Sequence, residues 1–337
     1  MNQKTEKIDF VITWVDGSDP LWQAEKEKYA PCRKDNSISD NRFRDWGLLR
    51  YWFRGIEQYA PWVNHIYFVT CGHYPQWLNL AHPRLTLVRH KDYIPEEYLP
   101  TFNSNAILLN LHRIKGLQEH FVLFNDDTFL IRPSRAEEFF KDGLPCDAAL
   151  LDTVVSWDPR DLFPHMLLNN GAIINENFCK KDIIRKEWRL FFSGKYSLNE
   201  LLRNCLLMPL VYFSCFRGRH LPTSFRKHIF DEVWSKEEEI LSDTCMHRFR
   251  STEDVTDWIF KDWMICQGKI SPRSHKWGHH FELGADNQSI YGDIRKQRYT
   301  AVCLNDSSEE IDFEKTKARL TAVFEELLPE KSSYEKE

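Results

Sequence analysis

The sequence predicts an α/β fold built around a largely parallel sheet. Four short apolar runs, rich in β-branched and aromatic residues, carry this prediction at positions 8–15, 64–72, 84–90 and 120–127. Stretches with helical periodicity lie between these runs, and the alternation of strand and helix is typical of parallel strands joined by crossover helices. At 337 residues, the chain is long enough for one large α/β domain with insertions, or for two modest domains.

Three segments between these strands are predicted to be helical. Asp19 and Pro20 fit a helix start, with Asp as the N-cap and Pro as the first helical residue. Within 41–61 apolar residues recur every three or four positions until Pro61 ends the pattern, and they are Phe43, Trp46, Leu49, Phe53 and Ile56. Residues 104–117 form the third predicted helix.

Beyond Pro133 the pattern is less regular. Strands are predicted at 146–157 and 169–175, and a helix at 181–203. The segment 309–328 places its apolar residues on one helical face, so we expect a packed helix there, followed by a frayed, charged tail.

The composition is that of a globular protein and disfavours several functional classes. A net charge of −5 argues against a dedicated nucleic-acid binder. Nine scattered cysteines without a CxxC pair favour reduced thiols in a cytosolic protein over a disulfide framework or a zinc ribbon. The N-terminus has no apolar signal-peptide core and no apolar run approaches 18 residues, so we expect neither a signal peptide nor a membrane span.

One apolar segment, 206–216, has basic residues on both sides, namely Arg203, Arg217, Arg219, Arg226 and Lys227. It is too short to span a membrane, although a segment of this kind can lie at a membrane surface. We favour a core segment with solvated basic ends and keep peripheral membrane contact as the alternative.

Two acidic motifs stand at the ends of predicted strands. Asp126 and Asp127 follow the fourth apolar run, where a carboxylate is costly unless positive charge compensates it. Paired carboxylates are ligands that Mg²⁺ or Mn²⁺ prefers, although Asn-Asp-Asp also makes ordinary turns. The "DGSD" motif follows the first strand. Because ligands bind beyond the carboxyl ends of parallel strands, we expect both motifs to face one pocket.

Other polar motifs each have a functional and a structural interpretation. The loop 14–19 fits phosphate binding or a plain turn with a helix cap, and there is no GxGxxG or P-loop motif. Asn103 and Ser104 precede a helix and are alternatively only capping residues. Two segments, "GRHLPTSFRKH" and "HRFRSTEDV", combine His with Arg and offer a base and a phosphate clamp, or surface ion pairs. The segment 275–280, "HKWGHH", lacks an HExxH pattern and is predicted to be a surface loop rather than a metal site.

In this order, the segments resemble the conserved regions of the Stealth family of sugar-phosphate transferases, whose bacterial members build phosphodiester-linked surface polysaccharides. "IDFVITWVDGSDPLW" is similar to the first region, and "NRFRDWGLLRYWFRGIEQYAPWVNHIYFVTCGHYPQWL" with "LPTFNSNAILLNLHRIKGLQEHFVLFNDDTFL" to the second. "HLPTSFRKHIFDEVW" with "MHRFRSTEDV" resembles the third, and "AVCLND" the fourth. The long second block is the most specific of these.

The resemblance implies a Rossmann-like, GT-A-like core with helical additions toward the C-terminus, in a single catalytic domain that spans 1–337. Within it, 1–133 would form the nucleotide-sugar-binding α/β half, and 134–306 the rest of the core with helical insertions on the acceptor side. Residues 307–337 would form the C-terminal helix and tail.

The implied reaction moves a hexose-1-phosphate from a UDP-sugar to a glycan hydroxyl and releases UMP. Asp127 would be the essential acidic residue and would bind Mg²⁺ or Mn²⁺ together with Asp126. His220 and Arg250 match the functional His and Arg of the third region, His220 as general base and Arg250 on the β-phosphate, although a carboxylate is an alternative base. Nucleotide-sugar contacts are expected from Trp14, Asp16, Gly17, Ser18, Asp19, Arg44, Asn103 and Ser104.

One residue departs from the family pattern. The family usually reads "FNS-x-A-I-E", and Leu108 stands at the place of that Glu. Leu cannot replace a base or a metal ligand, so a non-catalytic nucleotide-sugar-binding or glycan-binding homologue is one alternative. A GT-A-type glycosyltransferase that releases UDP is another. The implied acceptor is a lipid-linked or growing polysaccharide, with the protein in the cytoplasm or peripheral at the inner face of the plasma membrane.

Overall fold

The computed structural model describes residues 6–30, 45–156, 158, 160–306 and 311–336. In this part of the chain the strands are β1 (Ile8–Thr13), β2 (His65–Thr70), β3 (Leu85–Arg89), β4 (His120–Phe124), β5 (Thr128–Leu130), β6 (Phe140–Lys141), β7 (Leu144–Asp147), β8 (Leu151–Asp152), β9 (Cys215–Phe216), β10 (Thr223–Arg226), β11 (Ser271–Pro272), β12 (Gly278–Leu283) and β13 (Ala301–Asp306). The helices are α1 (Pro20–Tyr29), α2 (Leu49–Tyr59), α3 (Ser104–Leu109), α4 (Leu162–Asn177), α5 (Lys180–Phe191), α6 (Leu198–Leu207), α7 (Lys227–Lys236), α8 (Glu238–Met246), α9 (Trp258–Cys266), α10 (Gln288–Arg295) and α11 (Phe313–Leu327).

The central sheet confirms the predicted α/β class. It has five strands in the order β10-β4-β1-β2-β3. The four predicted strands are all present and mutually parallel, whereas β10 adds to β4 in the antiparallel direction. The chain runs from β1 outward to β3 and then returns to place β4 on the other side of β1. The order therefore reverses between β1 and β4, and such a switch point opens a crevice beyond the strand ends.

The central strands are apolar because both faces of the sheet are covered. In β1 the side chains of Phe10, Val11 and Ile12 are 0 % exposed. Phe10 and Ile12 belong to the hydrophobic cluster that includes α2 and α11, whereas Val11 belongs to the one that includes α7 and α9. This division follows the alternation of side chains along a strand. The sheet is thus held between two cores, which fixes where its strand ends lie.

The helix starts agree with the sequence better than the helix lengths do. Asp19 caps α1 by accepting a hydrogen bond from Trp22 N at 2.8 Å, and Pro20 is the first helical residue, as predicted. The helix predicted over 41–61 begins only at Leu49, because Gly47 has a φ of 71° that a helix does not accommodate. Trp46 therefore packs from the preceding loop, and Phe43 lies outside the described residues.

The predicted helix 104–117 is shorter as well. It ends at Leu109, and a 3₁₀ turn follows at Leu111–Arg113. The Asn110 amide donates to Ala106 O at 2.8 Å, so a side chain rather than the next turn of backbone satisfies this carbonyl. Gly116, with a φ of 90°, then turns the chain toward β4.

Two predictions in the second half are corrected. The strand predicted at 169–175 is part of α4, where the buried residues Met166, Asn170, Ile173 and Ile174 recur at helical spacing. A short apolar run is compatible with either a strand or a buried helix, and in this fold the segment packs as a helix. The single helix predicted at 181–203 is two helices, because Ser197 and Glu200 form a capping box that starts α6.

The C-terminal helix is confirmed as α11, with Leu320 and Phe324 fully buried. The prediction of a frayed tail after this helix is wrong. Arg54 Nε donates to Glu335 Oε1 at 2.8 Å, and Tyr334 is 2 % exposed. A buried guanidinium on α2 therefore holds the end of the chain against the first core. The division of the chain at 133 and 306 stays a prediction.

The preferred interpretation of 206–216 as a core segment is wrong for its first half. Leu206, Leu210, Val211 and Tyr212 are 47–76 % exposed, and only the last part, from Phe213, turns inward to β9. Leu198 and Leu202 on α6 are likewise 80 % and 56 % exposed. In the described part of the chain, no helix has the length and apolar content needed to cross a membrane.

Candidate active site

The ends of β1 and β4 place the two predicted acidic motifs side by side. Ile12 in β1 and Phe124 in β4 are register partners, so the loop 14–19 and the segment 125–127 leave the sheet at the same edge. This edge is the switch point of the strand order. Both motifs therefore lie at one edge of the sheet, and the expectation that they face one pocket stays a prediction.

Among the described residues, no Lys or Arg forms an ion pair with either member of the acidic pair. Within the same residues Asp127 Oδ1 is buried and has no hydrogen-bond partner, and protein atoms crowd Asp126 although this residue has an exposed surface. This crowding, together with the negative charges of Asp127 and Asp45, raises the pKa of Asp126 to about 8. Asp45 was not singled out in the sequence, because it lies outside any strand-end motif. Three carboxylates in one place with an unpartnered oxygen are a suitable environment for a hard cation.

His220 reaches this edge from a distant part of the chain. Because β10 runs antiparallel to β4, with Thr223 opposite Leu123, the residues before β10 lie beside the residues after β4. His220 Nε2 lies 3.0 Å from Asn125 Nδ2 and 3.9 Å from Asp127 Oδ2. Its φ of 44° is a left-handed conformation, which is costly for a residue other than glycine. Such a conformation is retained where the surroundings require a particular side-chain direction.

A second sheet closes the other side of the pair. Its order is β12-β13-β5, and Cys303 in β13 is the register partner of Thr128 in β5. Cys303 Sγ consequently lies 3.3 Å from Asp127 Oδ2 and 3.6 Å from His220 Nδ1. His280 in β12 pairs with Cys303, and its ring meets that of His220 edge-on at 5.5 Å.

The prediction that "HKWGHH" is a surface loop is therefore wrong for its C-terminal part. Gly278 to His280 open β12, and the last histidine faces the acidic pair. Burial and the neighbouring His220 lower the pKa of His280, so its imidazole is neutral near pH 7. Local sequence pattern does not indicate this placement, because the placement depends on the register between β12 and β13.

Arg250 lies on the α3 side of the site. Its guanidinium donates to Ser104 Oγ through Nε at 3.1 Å and also through Nη2. Asp257 lines a cleft together with His220, and burial raises the pKa of Asp257 to about 6, while the charges of Lys261, His220 and Arg250 oppose that rise. The structure thus brings the predicted Arg250 and Ser104 into direct contact, and their role toward a ligand stays a prediction.

A cleft beside His220 adds residues that sequence reasoning missed. Its lining includes Asn125, Asp147, Arg219, His220, Asp257, Trp258, Lys261 and Arg273. Arg273 is 8 % exposed, and its Nη1 has no hydrogen-bond partner. The charged lining could have been suspected only from the tertiary packing, since these residues come from five separate segments of the chain. A buried guanidinium that keeps one nitrogen without a partner among the described residues favours binding of negatively charged groups.

The predicted loop residues have mixed placements. Trp14 is 8 % exposed and stacks on Phe68 at 5.8 Å, so most of its ring belongs to the core. Asp16 accepts hydrogen bonds from the backbone and hydroxyl of Ser18 and shapes the turn at Gly17, while Asp19 caps α1. Their roles toward a ligand stay predictions.

Three further predicted positions differ in accessibility. Asn103 is 0 % exposed and donates to Asp254 Oδ2 at 2.8 Å, so in this structure it positions the start of α3 and does not face the cleft. Leu108, at the place of the family Glu, is buried in the core that α7 and α9 share. Arg44 lies outside the described residues.

Comparison with known proteins decides the relationship. Family models of the Stealth protein match conserved region 1 at residues 6–31, conserved region 2 at 42–146 and conserved region 4 at 292–337. The chain belongs to the Stealth family. The acidic pair lies in the region 2 match, and Cys303 in the region 4 match. The assignment of the segments around His220 and Arg250 to region 3 stays a prediction.

Curated relatives match the Stealth chain over nearly its whole length. The capsular polysaccharide phosphotransferase WcwK of Streptococcus pneumoniae is 39% identical over 98% of each chain. The exopolysaccharide phosphotransferase cps2G of Lactiplantibacillus plantarum is 38% identical over 98% of this chain and 96% of its own. The receptor polysaccharide phosphotransferase WefC of Streptococcus gordonii is 38% identical over 98% and 99%. A solved structure, the apo glycosyltransferase GlyE of Streptococcus pneumoniae TIGR4, has 10% identity and a TM-score of 0.25 over 90% of this chain and 81% of its own, which is too distant to carry weight.

Proposed function

We propose that this protein transfers a hexose-1-phosphate from a UDP-sugar to a hydroxyl of a growing or lipid-linked polysaccharide and releases UMP. The full-length relatives are named phosphotransferases of capsular, exopolysaccharide and receptor polysaccharides, which supports phosphotransfer in polysaccharide synthesis. The observation that carries the proposal is the meeting of His220 with Asp127 at the switch point of the sheet. A base next to an acidic pair in this crevice fits phosphoryl transfer.

The reaction balances as a displacement at the β-phosphorus. His220 accepts the proton of the acceptor hydroxyl, and the acceptor oxygen forms a bond to the phosphorus that carries the sugar. The bond from this phosphorus to the bridging oxygen breaks, and its electron pair leaves with UMP. Arg250, held by Ser104, supplies positive charge for the phosphoryl oxygens. The product is a phosphodiester between the sugar and the acceptor.

The acidic cluster fits a bound Mg²⁺ or Mn²⁺. The unpartnered Asp127 Oδ1 and the raised pKa of Asp126 show carboxyl groups without a counter-charge, and hard oxygen ligands are those that these ions prefer. Asp126 and Asp127 would hold the ion, which would neutralise charge on the diphosphate. Asp45 adds negative charge to the same centre, since it helps to raise the pKa of Asp126.

Two alternatives remain to be distinguished. A GT-A-type glycosyltransferase would break the bond between the sugar and the β-phosphate and release UDP. A non-catalytic homologue would bind the donor without turnover, and Leu108 favours it because no carboxylate stands at that position. Leu108 packs in a core that also includes Phe121 and Phe230, so the surrounding side chains are adapted to an apolar residue. The retained acidic pair and His220 favour catalysis instead.

The identity of the released nucleotide tests the proposal. Purified protein is incubated with Mg²⁺ or Mn²⁺, a panel of UDP-sugars and a membrane extract of the producing cells, and the nucleotide is identified by chromatography. We expect UMP from the wild type and none from Asp127→Asn. UDP would establish a glycosyltransferase, and donor binding without either nucleotide would establish the non-catalytic alternative.

The exposed apolar surface on α6 fits a lipid surface near the acceptor. Leu198, Leu202 and Leu206 recur every four residues and share one exposed helix face. On the neighbouring α5, Arg185, Lys186 and Arg189 are exposed and positively charged, and Trp188 is 52 % exposed. Lys180 ties the two helices together by donating to Leu207 O at 2.8 Å. An apolar face beside cations is the pattern of a helix that lies on an anionic membrane.

Vesicle sedimentation tests this contact. We expect the wild type to sediment with vesicles that contain phosphatidylglycerol and less with phosphatidylcholine alone. Leu202→Glu and Leu206→Glu together should abolish sedimentation, whereas Leu21→Glu, at an 82 % exposed leucine on α1, should not. Equal sedimentation of the three proteins would exclude the α6 face as the contact.

A further inference from the structure

Four side chains with metal-binding atoms meet beside the end of β4. Asp127 follows β4, His220 precedes β10, and His280 and Cys303 lie on adjacent strands of the second sheet. The ligand atoms of His220, His280 and Cys303 all lie within 4.8 Å of one another. Asp127 Oδ2 lies next to this group, 3.3 Å from Cys303 Sγ. His220, His280 and Cys303 therefore offer two nitrogens and one sulfur around a common point, and Asp127 Oδ2 offers a carboxylate oxygen beside the sulfur.

The chemistry of this set differs from that of the acidic pair alone. Thiolate and imidazole ligands select Zn²⁺ and similar ions, whereas Mg²⁺ avoids them in favour of oxygen. We propose that Asp127, His220, His280 and Cys303 form a second, thiophilic metal site that binds Zn²⁺ and thereby blocks the active centre. The proposed inhibition rests on the proposed function, because it assumes that His220 acts as the general base and that Asp127 binds Mg²⁺ or Mn²⁺.

The distances suit a tetrahedral site. With bonds of about 2.0 Å to nitrogen or oxygen and about 2.3 Å to sulfur, ligand atoms around zinc stand roughly 3.3–3.8 Å apart. The separations of Cys303 Sγ from Asp127 Oδ2, 3.3 Å, and from His220 Nδ1, 3.6 Å, already lie in this range. The remaining distances among the three residues are at most 4.8 Å and close by small side-chain rotations.

The backbone holds the ligands in place before any ion arrives. Leu304 N donates to Asp127 O at 2.9 Å, which locks β13 against the acidic pair. Cys303 is 0 % exposed in the middle of that strand. His280 Nε2 is buried and has no hydrogen-bond partner among the described residues, so the cluster presents an unsatisfied nitrogen. A metal ion would satisfy it.

The second partner of His220 supports the same arrangement. Nε2 faces the Asn125 amide at 3.0 Å, which leaves Nδ1 toward Cys303. If the amide is turned so that its oxygen accepts from Nε2–H, the lone pair of Nδ1 points to the metal. A metal-binding histidine usually donates its other N–H to such a partner.

Occupation of this site is incompatible with the proposed chemistry. Zinc on Nδ1 fixes the His220 ring and removes it as a proton acceptor, and Asp127 can no longer bind Mg²⁺ freely. Binding also releases the Cys303 proton to solvent, because the thiolate is the ligand. The phosphotransferase should thus lose activity when free Zn²⁺ rises and regain it when a chelator removes the ion.

Cobalt binding tests the site without any turnover. Co²⁺ replaces Zn²⁺ in tetrahedral sites, and its bond to a thiolate gives a charge-transfer absorption in the near ultraviolet. We expect metal-stripped wild-type protein to develop this absorption with one equivalent of Co²⁺ and to lose it when Zn²⁺ is added. Cys303→Ala should lack the absorption. Cys146→Ala, at another buried strand cysteine, is the matched control and should retain it.

A second variant tests the nitrogen ligand. His280→Gln should keep a sulfur-to-cobalt band but weaken Zn²⁺ binding at least about 10-fold, measured by competition with a chromophoric chelator. Absence of the band in wild type, or its persistence in Cys303→Ala, would overturn the site. Unchanged Zn²⁺ affinity in His280→Gln would remove His280 from the ligand set and overturn the four-ligand assignment.

The inhibitory role is tested by the nucleotide assay in the presence of Mg²⁺. Each variant is compared with its own rate before Zn²⁺ addition, and we expect the wild type and Cys146→Ala to be inhibited at lower Zn²⁺ than Cys303→Ala. Equal inhibition of all three would overturn the inhibitory role. If the cobalt band appears but UMP is never released, the metal site stands and the proposed function fails, so the two failures are distinguishable.

Discussion

His220 Nε2 lies 3.9 Å from Asp127 Oδ2, although Asp127 follows β4 and His220 precedes β10, far along the chain. The antiparallel addition of β10 produces this meeting, because it brings the start of one strand to the end of the other. A fully parallel fifth strand would place the residue before it at the opposite edge of the sheet. The predictions below concern this centre and the contacts that support it.

Replacement of the central carboxylate should abolish turnover. Asp127→Asn keeps the side-chain shape but removes the charge, so we expect UMP release to fall at least about 100-fold with the fold unchanged. The measurement is the initial rate, with circular dichroism and urea unfolding to check the fold. Asp231→Asn, at an exposed carboxylate of α7, is the control. A rate near that of the wild type in Asp127→Asn would remove Asp127 from the mechanism.

Two substitutions at His220 should have similar effects on activity but different effects on stability. His220→Ala and His220→Gly both remove the base, and we expect each to lose about 10²–10⁴-fold in rate. Glycine tolerates the φ of 44°, so His220→Gly should be more stable to urea than His220→Ala by about 1 kcal/mol. Equal unfolding midpoints for the two variants would show that the conformation carries no cost.

Substitutions at the two ends of the Arg250–Ser104 contact should lower kcat by different amounts. Arg250→Lys keeps the charge but loses the paired donation to Ser104 Oγ, and we expect a loss of about 100-fold in kcat. Ser104→Ala removes one neutral partner and should cost about 10-fold, which corresponds to about 1.4 kcal/mol. The reverse order of the two effects would place Ser104, rather than Arg250, on the reacting phosphate.

A buried carboxyl on α9 should make stability pH-dependent. Asp262 is 3 % exposed, and burial raises its pKa from 3.8 to about 7, with help from Asp147 and Asp257 and opposition from Lys261. Because the folded state favours the protonated form, this stabilising contribution is complete below about pH 4 and is lost as the pH rises through about 7. Asp262→Asn should therefore gain stability relative to wild type between pH 5 and pH 8.

Urea unfolding at several pH values measures this effect. We expect the difference between Asp262→Asn and wild type to shift by about 1–3 kcal/mol in favour of the variant over that range. Asp243→Asn, at an exposed position of α8, should show no such shift. A constant difference for Asp262→Asn would mean that the carboxyl titrates alike in the folded and unfolded chain.

The buried ion pair between Arg54 and Glu335, which anchors the C-terminal tail, should contribute more to the free energy of unfolding than a surface ion pair does. Arg54 and Glu335 have side chains that are 5 % and 3 % exposed, so Glu335→Gln leaves a buried guanidinium with weaker compensation and should cost about 3 kcal/mol of unfolding free energy. Glu326→Gln breaks the exposed pair between Glu326 and Arg295, which solvent screens, and should cost clearly less unfolding free energy than Glu335→Gln. Similar costs in urea unfolding would contradict a buried anchor.

The sequence predicted those parts of the site that depend on local pattern. Asp126 and Asp127 were placed at a strand end because the apolar run before them is local, and the Asp19-Pro20 helix start is local as well. His280 beside Cys303 could not be predicted, since it requires the pairing of β12 with β13 and of β13 with β5. The same limit explains the strand predicted at 169–175, where packing against Thr256 and Phe213 selects a helix.

The position of β13 in the chain sets the order in which the centre forms during synthesis. The strands that carry the acidic pair are made before β12 and β13, which carry His280 and Cys303. A nascent chain that does not yet include β13 therefore has the carboxylates without the sulfur that lies beside them. We expect the proposed centre to assemble only after β13 has been made.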